Sequence, residues 1–151
     1  MDSCLREVAN YFLAQKDALS VDPTLIDARL LPHVFILDVE RDATVRLRIR
    51  LIGTALDHFF QRPLIGHHLE EFIHGPRGDD VIASFHHCAQ TKEPLWMRQI
   101  VQLKGKVPRF VEGVAVYLEP DRIYGGLAIG ELCHERVESG FERTILQRVG
   151  L

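Results

Sequence analysis

A chain of 151 residues, 46% hydrophobic and 26% charged, is long enough to bury a core of its own and too apolar for a disordered segment. Its formal net charge of -3, with Lys and Arg scattered, argues against nucleic acid as the main partner, because phosphate binding draws on clustered cations. No apolar run approaches the ~20 residues that cross a bilayer, and "MDSCLREVANYF" carries neither the basic nor the apolar region of a secretion signal. A cytoplasmic protein without membrane attachment is expected.

Leu5, Val8, Ala9, Phe12 and Leu13 recur at helical spacing and predict an amphipathic helix over residues 3–16. Asp22 and Pro23 open a short helix that stops before Pro32. "HVFILDVE" then reads as a strand. In "VRLRIRLI" the period is two, which places Val45, Leu47, Ile49 and Leu51 on a buried face and Arg46, Arg48 and Arg50 on a wet one. Gly53 ends that strand, and Ala55, Leu56, Phe59 and Phe60 mark one side of a short helix. Leu69, Phe72 and Ile73 suggest another helical turn, closed by "HGPRG". A longer helix follows over Asp79–Thr91, with Val81, Ile82, Phe85, Cys88 and Ala89 in one stripe.

Three strand-like runs complete the pattern: "LWMRQIVQL", "RFVEGVAVYL" and "RIYGGLAIGEL", joined by "KGKVP" and "EPD". Such short connections predict an antiparallel meander. The middle run is apolar on both sides, so both faces of the sheet need a cover, and the N-terminal helix is the candidate for the outer one. The polar segment after Glu131 reads as a short helix or a frayed end. Cys4, Cys88 and Cys133 share no metal-ligand spacing and are expected to be reduced thiols.

The order of two strands, short helices and three strands resembles the PAS domain, a sensory and interaction module with a five-stranded antiparallel sheet around a cavity. Leu31 and Pro32, the arginine-rich run ending in Gly53-Thr54, Phe59 and Phe60, and Arg62, Leu64 and Gly66 resemble one proteobacterial PAS subfamily. The resemblance implies an α+β fold with short helices on one face of the sheet and an N-terminal amphipathic helix. It divides the chain into residues 1–21 (helix and connection), 22–132 (PAS domain) and 133–151 (tail). It further implies a non-catalytic role in bacterial signal transduction, with a regulatory partner such as a sensor histidine kinase. A homodimer is implied through the helix stripe of Leu5, Val8, Phe12 and Leu13. Alternatives are a ligand or haem sensor and a small isomerase-like α+β enzyme.

Phe59, Phe60, Phe85, Trp96, Tyr117 and Tyr124 are candidates to line the cavity, with Arg98 as an anionic handle. By the resemblance, a haem ligand would lie on the helix that holds His86 and His87. At about 100° per residue only His86 can look inward, from the edge of the apolar stripe. His67 and His68 diverge on a helix and read as a solvated terminus. Glu112 reads as a strand-end carboxylate in water. No nucleophile motif, P-loop or zinc-protease motif occurs, so no catalytic residue is expected. The cofactor is left open, with none preferred to haem.

Overall fold

The computed structural model describes residues 2–18, 21–73, 76–101, 107, 109–131 and 142–145, which leaves Cys133 and most of the loop "KGKVP" outside the described residues. Helix α1 (Ser3–Ala14) starts where the Asp2 carboxylate accepts hydrogen bonds from the amides of Cys4 (2.8 Å) and Leu5 (3.2 Å), an N-cap that satisfies two orphan donors. Asp22 caps a single 3-10 turn, Pro23–Leu25, and Pro32 sits inside a second, Leu31–His33, instead of lying beyond a helix.

Strands β1 (Val34–Arg41) and β2 (Val45–Ile52) are followed by α2 (Thr54–Phe60), a 3-10 turn (Leu69–Glu71) and α3 (Pro76–Thr91). Pro76 opens the long helix, where its fixed φ and missing N–H are tolerated, so the Pro76–Gly78 part of "HGPRG" belongs to that helix, while His74 and Gly75 lie outside the described residues. Then come β3 (Leu95–Val101), β4 (Arg109–Leu118), β5 (Arg122–Glu131) and β6 (Glu142–Ile145). The sheet is antiparallel throughout, in the order β2-β1-β5-β4-β3-β6. The expected five strands are all present, and β6 adds a sixth from the segment that read as a helix or a frayed end.

Every residue of β4 from Val111 to Leu118 is buried, as a strand covered on both faces requires. Inward, Ala115 and Tyr117 join Phe35, Leu37, Leu47, Ile49 and Ile123 under α2 and α3. Outward, Val114, Val116, Leu118, Val34 and Ile36 meet α1. Gly126 makes that second contact close, since a Cβ there would lie 3.2 Å from both Leu5 and Val8. At Gly53 a Cβ would stand 2.2 Å from the Pro32 carbonyl oxygen, so only glycine lets α2 begin against the Leu31–His33 turn.

β2 departs from simple alternation. Ile36 pairs with Leu51 but Leu37 pairs with Ile49, which leaves Arg50 as the extra residue of a bulge. Beyond it the faces exchange: Leu51 packs with the outer cluster and Ile52 with the inner one, so Leu51 does not share the side of Leu47 and Ile49.

Leu5, Val8 and Phe12 are 0% exposed, all against the chain's own sheet, with the Phe12 and Tyr124 ring centres 5.1 Å apart and the rings tilted by 43°; Leu13 stays half-buried at the edge. The stripe expected to be shared with a second copy is therefore already covered. Phe12→Ala should lower the unfolding free energy by about 3–5 kcal/mol in urea titration. Leu5→Glu combined with Phe12→Glu should give an unfolded chain, visible by circular dichroism, and not a folded monomer.

Candidate functional site

An apolar cavity of about 50 Å³ lies between the inner face of the sheet and the helices. Period-two alternation delivers its floor: Phe35 and Leu37 from β1, Met97 and Gln99 from β3, Val111 from β4, Leu127 and Ile129 from β5. Ile49 and, because of the bulge, Ile52 come from β2. The roof is Leu56, Phe59 and Phe60 of α2, Leu64, the Leu69–Ile73 segment, and Val81 and Phe85 of α3. Phe35 and Phe85 meet edge to face at 5.6 Å, and the Phe35 ring lies where a side chain on Gly125 would stand. A second, outward-facing groove of about 300 Å³ shares Leu56, Phe59 and Ile129 with the first and adds His33, His58 and Arg109.

Of the eight candidate ligand residues, Phe59, Phe60 and Phe85 line the cavity. Trp96 and Arg98 alternate with Met97 and Gln99 and so face the other side of the sheet, where Trp96 joins the α1 cluster and Arg98 lies 4.7 Å from the Phe110 ring centre. Tyr124 is on that outer side too, against Phe12. Tyr117 faces inward but away from the cavity, its hydroxyl donating to the Pro120 carbonyl or the Asp121 carboxylate, both at 3.0 Å. His86 turns to Glu70, with Nε2 2.9 Å from the carboxylate. Gln99 was not singled out in the sequence, although the Leu95, Met97, Gln99 alternation puts an amide on the buried face.

Two solvated readings are reversed. His68 is buried, its ring held between Glu40 and Glu71. Glu112 is 8% exposed and accepts hydrogen bonds from the Asp2 amide (3.0 Å) and the Trp96 indole (2.7 Å), which fastens the start of α1 to the sheet. Glu70 accepts from the Leu47 amide (3.1 Å), and Ile49 exchanges backbone hydrogen bonds with Gly66 and His67, so the free edge of β2 is largely covered.

The arginine row is half-exposed, as expected, and paired. Arg48 donates to Glu40 at 2.9 Å; Arg50 and Arg122 converge on Asp38 at 2.9 and 2.8 Å. Burial raises the Asp38 carboxyl, but these two guanidinium hydrogen bonds outweigh it and hold the group below its ordinary value. Glu40 is lowered by His68 and then Arg48, and Glu71 by His67 and then the His68 amide.

No titratable side chain lines the apolar cavity among the described residues, so the lining supplies neither a general acid nor a base, and no histidine, lysine or arginine reaches it. A haem ligated through His86 does not fit, because His86 turns to Glu70 and is not part of this lining. No described helix is long and apolar enough to cross a membrane.

No family model and no curated protein matches the chain. Among solved structures, a fungal LOV domain photoreceptor superposes over 78% of this chain and 85% of that one, with a TM-score of 0.51 at 12% identity. LOV domains are PAS-family members. The fold is PAS-like. At that identity the likeness shows the PAS-like architecture alone, and the strand order and the side of the sheet that holds the cavity follow from this chain's own residues.

The carboxyls of Asp38, Glu40 and Glu71 lie below their ordinary 3.8 to 4.5 when folded, so their stabilising contribution is complete above that range and is lost as the pH falls through the folded values. The melting temperature should therefore decline below about pH 4.5, and Asp38→Asn should flatten part of that decline. Burial pushes the Cys88 thiol up to about 12. Iodoacetamide followed by peptide mass analysis should find Cys4, which is exposed, labelled at pH 8 and Cys88 untouched until denaturant is added.

Proposed function

We propose that this PAS-like chain is a non-catalytic sensory and protein-interaction module of cytoplasmic bacterial signalling, in which occupancy of the cavity alters the surface offered to a regulatory protein such as a sensor histidine kinase. The observation that carries the reading is the apolar cavity itself, roofed by short helices and floored by the strands whose other face holds α1. Met97 and Leu127 line the cavity, while their neighbours Trp96 and Gly126 meet the α1 side. One thickness of sheet separates a bound molecule from the helix. Because packed interiors transmit small displacements, a shift in the floor strands moves α1 against its seat.

The proposal gives Glu112 and His86 structural roles, one tying α1 down and the other holding Glu70. Native mass spectrometry of the chain from its own host should show a noncovalent small molecule that leaves on denaturation. Hydrogen exchange in α1 should be slower in the loaded protein than in the stripped one. Equal exchange in both would overturn the sensory reading. Multiple turnover of the retained compound, abolished in Glu112→Ala or His86→Ala, would overturn the non-catalytic one.

A further inference from the structure

Two spaces of opposite character meet at α2. The inner cavity, about 50 Å³, presents apolar surface alone. The outward-facing groove, about 300 Å³, presents polar and apolar surface together, and Leu56, Phe59 and Ile129 border both. The groove exists because β5 outruns its neighbour. β1 begins at Val34, opposite Gly126, so β5 from Leu127 onward is paired with β4 alone. His33 takes up part of that bare edge, with Nδ1 3.2 Å from the Leu127 carbonyl oxygen; a carbonyl only accepts, so Nδ1 carries the proton. Half-buried Arg109 brings a permanent positive charge to the groove, and exposed His58 brings a ring N–H. No carboxylate is among the described residues that line it.

We infer that the two spaces form one site for an aliphatic carboxylate, with the carboxylate in the groove beside Arg109 and His58 and the end of the hydrocarbon chain in the inner cavity. The inference rests on the sensory reading above in taking the inner cavity as a ligand site. The two linings fix the orientation. A carboxylate moved into the inner cavity would lose its hydration against walls that offer no cation and no polar surface, whereas a chain end gains by leaving water there. In the groove the planar guanidinium of Arg109 matches a carboxylate's two oxygens. Of the three side chains between the spaces, Leu56 is buried and Phe59 is half-buried in the last turn of the short helix α2. The chain therefore passes by displacing the Phe59 ring, which leaves the sheet intact.

Size divides the ligand in the same way. About 50 Å³ is well below the ~150 Å³ of an engineered apolar cavity that admits benzene. The inner space takes the last few carbons of the chain, and the wider groove holds the head and the carbons next to it.

The test measures, by calorimetry on the full chain, the binding of octanoate, butanoate, 1-octanol and octylammonium. Octanoate should bind at least about tenfold more tightly than butanoate, which is too short to reach the inner cavity from the groove, and about tenfold more tightly than 1-octanol or octylammonium, which lack the anion. In Arg109→Met the ratio of octanoate to 1-octanol affinity should fall about tenfold. The chain has two methionines, Met1 and Met97, and Met97 lines the inner cavity, so methyl-labelled methionine reports on the buried end of the ligand. In the wild type the Met97 methyl should give a nuclear Overhauser effect to the terminal methyl of octanoate and none to the methylene beside the carboxylate. Octanoate that fails to bind, 1-octanol or octylammonium that binds as tightly, an unchanged ratio in folded Arg109→Met, or a Met97 methyl that sees the carboxylate end or neither end would each overturn the inference. The probe comparison and the Met97 measurement use the wild type alone, so they decide the matter even if the variant does not fold. The sensory reading is decided separately, by hydrogen exchange in α1 with and without the molecule that the chain carries from its own host.

Discussion

Burial of β4 on both faces is the constraint from which the rest of the architecture follows. A strand whose residues are all buried from Val111 to Leu118 cannot leave either side of its sheet in water, so the fold needs two covers of different kinds. The inner cover is assembled from short pieces, α2, the Leu69–Glu71 turn and α3, and short pieces leave a gap between them. The outer cover is one continuous helix seated over Gly126, with no such gap to leave. The cavity is thus a product of how the inner layer is built, and α1 is in position to register what happens below it.

The polar groups follow the same division. Asp38 and Glu40 sit on the outer face of β1, each within reach of arginines from β2 or β5, so the part of the outer face that α1 does not reach carries cross-strand ion pairs. Such half-exposed pairs contribute little each, but they keep that flank soluble without needing a second layer. Glu112 is the exception. It lies under the start of α1 and is hydrogen-bonded to the helix's own entry, so its burial is matched by a structural use.

Much of this was legible in one sequence. Periodicities of two and of three to four placed the helices and strands, and the apolar double face of "RFVEGVAVYL" required a cover on each side. The faces themselves were harder to assign, because a strand apolar on both sides does not say which side is hollow; Trp96 and Tyr124 were grouped with the cavity by their aromatic character, while alternation puts them under α1. His68 looked solvated because Glu40, which comes from 28 positions earlier in the chain, is brought beside it only by the β1-β2 pairing and the return of the chain along β2. Gln99 was visible as the polar member of an alternating apolar set, but the absence of a partner for its Nε2 among the described residues is a property of three dimensions.

The bulge at Arg50 gives β2 an uneven tolerance to changes in chain length. Removing one residue elsewhere in the strand would exchange the faces of whatever lies between the gap and the next correction, sending leucines outward and arginines into the core. Removing Arg50 would join Leu51 directly to Ile49 in the ladder, leaving Leu51 outside and Ile52 inside, where they already are. A one-residue gap at this position is therefore the length difference that related chains can carry in β2 without rebuilding the cavity floor.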